Sequence, residues 1–289
     1  MQVLGGCQVE LSESSVKRLS FQSFGLSATV TLHGDVSSEA MLPYLPPNRA
    51  PVSGAGADRN YVIDHAYQNR SSNQPRYRVF FEKRLLAQSS DLEECFSALE
   101  GDLSMAIATD SRHGLVFVHS GVVSLGDGAL LIPGTSRSGK STLVDVLVAR
   151  GALYCSDEFA VIDGEGLVWP YLRQISLRTE NCLGSGKKVS MQRFEGRIAM
   201  ASTPLPVTGI LGCQYRAGSD WSCHPATPGQ GVLQLLENAV SAQLDPGRTM
   251  KILSRAANGA KVKIGTRGEA SDAVESIWRC FDSSNMGEA

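Results

Sequence analysis

From Gly114 onward the chain is a series of short apolar runs punctuated by glycine. LVFVHSGVVSL and ALLIPG come first, then STLVDVLVAR, which Gly151 stops, then LYCSDE and FAVIDGEGLVWPY. The apolar runs predict strands, and the spacing of Leu143, Val144, Leu147 and Val148 predicts one amphipathic helix. A hairpin is expected around Gly164-Glu165-Gly166. Further on, PLPVTGILGCQY reads as a strand. TPGQGVLQLLENAVSAQL reads as a helix, with Thr227 at its N-cap, Pro228 in the first turn and Gln230 at the third position. DPGRTMKILSRAA and GEASDAVESIWRCF supply two last helices, with the strand KVKIG between them. Strands alternating with helices predict an α/β domain over residues 108–289.

The first 107 residues have a different texture. FGLSATVTL alternates as a strand does, YRVFFEKRLLAQ reads as one or two strands, and SDLEECFSALEGDLSMAIA as a helix capped by Ser90, with Leu92, Cys95, Phe96 and Leu99 apolar. Residues 34–76 are rich in Pro, Ser, Gly and Asn and read as one long loop. This part is expected to be a small α+β module. There is no internal repeat and no heptad array.

Composition narrows the class. With 289 residues, 42% hydrophobic and 19% charged, the chain is long enough to bury roughly three quarters of its unfolded surface, which excludes disorder and collagen-like structure. A net charge of -2 gives no global reason to bind nucleic acid or an anionic membrane. No apolar run approaches the roughly 18 residues needed to cross a bilayer, and the first residues show no basic-then-apolar leader, so a cytoplasmic protein is expected. The seven cysteines form no CxxC pair and are expected to be reduced thiols.

One motif carries specific chemistry. Gly134-Thr135-Ser136-Arg137-Ser138-Gly139-Lys140-Ser141 fits G-x-x-x-x-G-K-[ST] at every fixed position, followed by Thr142. Glycines let successive backbone N–H groups curl around phosphate oxygens, and the following helix adds the positive end of its dipole. Lys140 would pair with the β and γ phosphates and Ser141 would ligate Mg²⁺. The strand Ala129-Leu130-Leu131-Ile132 entering the loop and the helix leaving it are the context that separates such a site from an ordinary glycine-serine turn. Asp157 and Glu158 end the next apolar stretch, at the strand edge beside the loop if the two strands are neighbours, where one would face Mg²⁺ and the nucleotide while the other serves elsewhere; the plainer alternative is a solvated acidic turn. His119, in the strand before the loop, is by spacing alone either a core residue or part of the site.

The run from His119 to Asp163, HSGVVSLGDGALLIPGTSRSGKSTLVDVLVARGALYCSDEFAVID, resembles the catalytic domain of HPr kinase/phosphorylase and its wider group of serine-kinase-like proteins. The shared features are His119 before the loop, the loop itself, and an acidic pair one helix later. PYLRQISLR (170–178), PLPVTGILGCQYRAG and RGEA (267–270) resemble later parts of the uncharacterised branch. The resemblance implies a P-loop domain akin to phosphoenolpyruvate carboxykinase, with a curved mixed sheet. It also implies Asp157 as the base that activates a hydroxyl, Ser141 and Glu158 at the Mg²⁺ site, and His119 orienting the catalytic carboxylate.

Arg137 stands where that family has glycine, and either reaches the γ-phosphate or points to solvent. Arg178 is placed near the site or in a surface ion pair. Lys187 and Lys188 form a basic loop that either closes over substrate or is solvated. Cys213, Cys223 and His224 lack the fourth ligand and spacing of a zinc site. The expected function is Mg²⁺-ATP-dependent transfer of the γ-phosphate to an unidentified hydroxyl, on a peptide, protein or small metabolite. The partners are thus nucleotide and acceptor, with no nucleic acid or membrane. The resemblance admits self-association, since the family's namesake is a hexamer, but leaves the oligomeric state open. The alternatives are a nucleotide-responsive binding module without transfer and, more remotely, a carboxykinase.

Overall fold

The computed structural model describes residues 2–4, 7–11, 16–53, 56–66, 76–136, 138–177, 187–189, 191–200 and 202–281. Two compact units, Met1–His113 and Gly114–Ala289, make up the chain. The first contains β1 (Gln2–Leu4), β2 (Cys7–Leu11), β3 (Val16–Ser23), β4 (Leu26–His33), α1 (Ser38–Met41), β5 (Ala50–Pro51), β6 (Arg59–Ala66), β7 (Arg76–Phe81), β8 (Arg84–Ser89) and α2 (Leu92–Thr109). The sheet order is β1-β2-β3-β4-β6-β7-β8, with β5 against β3. β6 corrects the expectation of one long loop over residues 34–76. It pairs with β4 in parallel and with β7 in antiparallel fashion, and it buries Tyr61 and Ile63. A parallel neighbour requires a crossover, and the Pro-rich stretch with α1 provides it. The cap of α2 is Asp91, which accepts from Glu93 N at 2.9 Å, and not Ser90.

The second unit is α/β with a mixed sheet. Its elements are β9 (Val116–Leu125), β10 (Gly128–Pro133), α3 (Lys140–Arg150), β11 (Leu153–Ser156), β12 (Phe159–Ile162), β13 (Val168–Trp169), β14 (Ile175–Leu177), β15 (Lys187–Val189), β16 (Val207–Tyr215), β17 (Ser222–Ala226), α4 (Pro228–Leu236), α5 (Pro246–Ala257), β18 (Lys261–Arg267) and α6 (Ala270–Phe281). The sheet order is β13-β12-β9-β10-β16-β18-β17, with β11 also on β9. β10, β16 and β18 run parallel, whereas β9 is antiparallel to β10, β11 and β12.

The apolar runs are continuous because both faces of the sheet are covered. Val118, Val122 and Leu131 pack with Ile252, Leu253 and Ala256 of α5 on one face. Val123, Leu130 and Ile132 pack with Leu143, Val144 and Leu147 of α3 and Ile277 of α6 on the other. Helix α4 ends at Leu236, before the Asn238-Ala239-Val240 stretch that the sequence reading kept helical. There His119 N donates to Asn238 O at 2.8 Å and Val240 N to Phe117 O at 2.8 Å, so this segment holds the part of β9 that β10 leaves uncovered. Lys187 and Lys188 belong to β15, paired with β14, and not to a loop. Among the described residues no helix is long and apolar enough to cross a membrane.

Gly121 is where β9 meets α3. A Cβ there would stand 2.7 Å from Val144 Cγ2, and the β-branched valine has little freedom to yield. Gly121→Ala is expected to cost about 1–3 kcal/mol through overpacking, read as a lower urea midpoint. An unchanged midpoint would show that α3 is not seated on β9 at this point.

Candidate functional site

The glycine-rich loop before α3 is fixed from behind by β9. Ser120 Oγ, fully buried, accepts from Ile132 N at 3.0 Å and donates to Gly121 O at 2.8 Å. Gly134 N donates to His119 O at 3.2 Å, and Ser138 N to Thr135 O at 3.3 Å. Gly139 has φ 82°, the left-handed turn that opens α3, so only glycine suits the N-cap. The first N–H groups of α3 have no partner within the helix and lend its start a positive end. Thr135, Ser136 and Thr142 are exposed and Gly134 is half-buried. The Ser138 hydroxyl is buried and has no hydrogen-bond partner among the described residues. An orphaned donor inside this loop fits an anionic phosphate oxygen.

Lys140, only 6% exposed, turns back into the loop. Its Nζ donates to the carbonyls of Gly134 and Thr135, each at 2.8 Å, and lies 3.2 Å from His119 Nδ1. His119 Nδ1 is also 2.8 Å from Gly134 O. A proton on Nδ1 is donated to that carbonyl, whereas a bare Nδ1 accepts from the ammonium. Burial pushes the Lys140 pKa down to about 8, against the pull of Glu158 and Asp157. An arriving polyanion would favour the charged form.

The acidic pair sits in a break between two strands that share one edge of β9. Tyr154 faces Val123 and Ser156 faces Val122, which makes Cys155 the extra residue of a β-bulge, and Phe159 faces His119, so Asp157 and Glu158 fill the gap between β11 and β12 opposite Gly121 and Ser120. Ser156 Oγ shapes it by accepting from Glu158 N at 3.1 Å and Phe159 N at 3.0 Å, while Ser120 N donates to Glu158 O at 3.0 Å. The sequence reading put this pair on the strand next to the loop; β9 in fact lies between them. Asp157 nevertheless reaches Ser141, and Glu158 reaches His119.

Their surroundings differ. Asp157, 5% exposed, accepts from Ser141 Oγ at 3.0 Å through Oδ2 and faces Tyr154 Oη at 3.2 Å through Oδ1. Burial raises its pKa despite the Arg173 charge. Glu158 is a third exposed, with Oε1 3.5 Å from His119 Nε2 and Oε2 3.2 Å from Arg173 Nη1. Burial alone would raise its pKa, but His119, Arg173 and Lys140 together outweigh it and hold the group low. The partner of His119 is therefore Glu158, whereas the loop serine is joined to Asp157.

Arg173 was missed by sequence reasoning, which chose Arg178 five residues on. Arg178 and Arg137 lie outside the described residues. A signal for Arg173 existed nearby in Tyr171, which docks edge-on against Phe117 and Phe159 and donates its N–H to Cys155 O at 3.0 Å. That anchor brings residue 173 beside the acidic turn. Among the described residues no group of three His, Cys, Asp or Glu side chains is arranged to hold a metal by itself. The Ser141 hydroxyl and Asp157 carboxylate are hard oxygen donors of the kind Mg²⁺ takes together with phosphate and water. The residues thus fit that ion. No model of a known protein family matches the chain, and no curated protein matches it.

Asp157→Asn keeps an oxygen for Ser141 and removes a desolvated charge. The thermal midpoint is expected to rise by roughly 2–4 °C at neutral pH, an effect of about 1 kcal/mol. The folded-state pKa lies above the unfolded one, so the carboxyl's contribution to stability is full below the unfolded range and is lost as pH climbs through the raised value. The variant's advantage therefore grows from acid to neutral pH. Calorimetric scans of both proteins between about pH 4 and about pH 8 measure it, and a midpoint lowered throughout contradicts a desolvated Asp157.

Proposed function

We propose that the second unit is a Mg²⁺- and ATP-dependent phosphotransferase that moves the γ-phosphate to a hydroxyl, on the serine or threonine of a peptide or protein or on a small metabolite. The observation that carries this reading is the hydrogen bond from Ser141 Oγ to Asp157 Oδ2 at 3.0 Å. It joins the loop serine to a buried carboxylate across an intervening strand, beside an ammonium held in the loop. The mixed sheet, with an antiparallel strand on one side of β10 and a parallel one on the other, is compatible with the carboxykinase-like P-loop domain of HPr-kinase-like proteins.

The residues divide the work as follows. The loop N–H groups and the Ser138 hydroxyl bind the terminal phosphates, and Lys140 exchanges two loop carbonyls for β and γ oxygens. Ser141 and Asp157 hold Mg²⁺, which supplies charge neutralisation on the phosphates when bound. Glu158, the more open carboxylate, aligns the acceptor hydroxyl and takes its proton at an Oε atom. His119 and Arg173 fix that carboxylate from two sides. This exchanges the two acidic roles implied by the resemblance, which gave the base to Asp157. The reason is access: Asp157 is buried against Ser141 and Tyr154, while Glu158 faces solvent and meets the histidine. In-line positioning and neutralised charge supply most of the rate in such a transfer.

Lys140→Ala is expected to weaken Mg²⁺-ATP binding at least about tenfold. Glu158→Gln should keep that affinity and lower transfer by roughly 10²–10⁴-fold. γ-Labelled ATP incubated with cell extract and each protein, with mass spectrometry of labelled products, reads transfer; calorimetry reads binding. Tight nucleotide binding with no labelled acceptor would replace the kinase reading with a nucleotide-responsive binding module.

A further inference from the structure

The carboxyl ends of three parallel strands meet at one edge of the second unit's sheet. β10 leads into the phosphate loop, β16 ends at Tyr215 and β18 ends at Arg267, with Tyr215 and Arg267 directly paired across the ladder. In open α/β sheets, ligands gather outside such ends. The acidic turn occupies the other flank of the loop, beyond β9. A nucleotide whose terminal phosphates face Asp157 and Glu158 therefore sends its sugar and base the opposite way, over β16 and β18.

An aromatic ring stands there, fixed from two directions. Tyr215 Oη donates to Glu269 Oε1 at 2.6 Å, and the Arg267 guanidinium carbon lies 5.5 Å from the ring centre. Arg267 is only 2% exposed and is tied to the loop, with Nη2 donating to Gly139 O at 3.0 Å and Nη1 to Gly268 O at 2.9 Å. A Cβ at Gly139 would stand 3.9 Å from Tyr215 Cβ and 2.7 Å from Arg267 Nη2, so the base of the Tyr215 side chain and the guanidinium both lie beside the loop backbone. Tyr215 as a residue is 43% exposed, more than a tyrosine that serves core packing. A ring already held in place loses little freedom when a second flat group stacks on it.

We propose that Tyr215 is the stacking platform for the aromatic base of the nucleotide, and that Arg267 is the positioning residue that holds both the ring and the turn at Gly139. This inference rests on the phosphate-loop reading above and adds to it where the nucleoside lies. Stacking on a π-face tolerates every base, so the ring favours ATP and GTP alike, and any choice between them is made by other contacts.

The test is calorimetric titration of the unaltered chain, Tyr215→Ala and Tyr215→Phe with Mg²⁺-ATP, Mg²⁺-GTP and Mg²⁺-tripolyphosphate. The last ligand presents the phosphates without a base. Tyr215→Ala should bind both nucleotides about tenfold more weakly and tripolyphosphate unchanged. Tyr215→Phe should stay within about threefold for all three, since the ring is kept. Unchanged ATP and GTP affinity in Tyr215→Ala, or an equal loss for tripolyphosphate, overturns the base subsite and leaves the phosphate loop standing. If the unaltered chain binds none of the three, the phosphate-loop reading falls and the subsite falls with it.

Discussion

Strand β9 has two edges, and the candidate site exists because both are in use at the same place. One edge carries β10 and so sets where the glycine-rich loop begins; the other carries β11 and β12 and so sets where the acidic turn falls. Backbone bonds at His119 and Ser120 tie both to one short stretch: Gly134 N donates to His119 O, and Ser120 N to Glu158 O. The imidazole of His119 repeats this bridge in side-chain form, with Nδ1 at the loop and Nε2 at Glu158. Because ladder pairing is cooperative and both faces of β9 are buried, a register slip of one residue would turn His119 to the opposite face and separate the two halves.

The charges gathered there are pulled in different directions by one environment. Burial works against the charged form of every group in it. Asp157 has a serine and a tyrosine hydroxyl for company and is pushed up. Glu158 has an imidazole, a guanidinium and an ammonium near it and is held down. Lys140 is pushed down although two carboxylates attract it. Adjacent carboxylates with opposing shifts mark a candidate functional site, and the access of each group, not its basicity, is what the proposed division of roles rests on. The cost falls on stability, since burial disfavours the charged forms of Asp157 and Lys140.

What could be read from the chain was whatever local chemistry determines. The glycines, lysine and serine of the loop, the helix after it, the capping box at Thr227 and the hairpin near Gly164 each need only neighbouring residues, and each stands in the described structure. What could not be read depends on contacts distant in sequence. β6 lay hidden because the prolines around it mark a crossover, and only pairing with β4 and β7 makes it a strand. The pairing of His119 with Glu158 turns on a bend that Ser156 shapes by capping two backbone N–H groups. Arg173 reaches the site because Tyr171 wedges among aromatic rings, a tertiary event that leaves only a tyrosine two residues upstream as its trace.

The central claim is that this loop grips terminal phosphates while Ser141 and Asp157 hold the metal beside them. A crystal structure with Mg²⁺ and a non-hydrolysable ATP analogue tests it most directly. The account requires Lys140 Nζ to leave the carbonyls of Gly134 and Thr135 for phosphate oxygens, with the cation between Ser141, Asp157 and the β and γ groups. Analogue bound elsewhere, or Lys140 still folded onto the loop carbonyls beside it, would contradict the account.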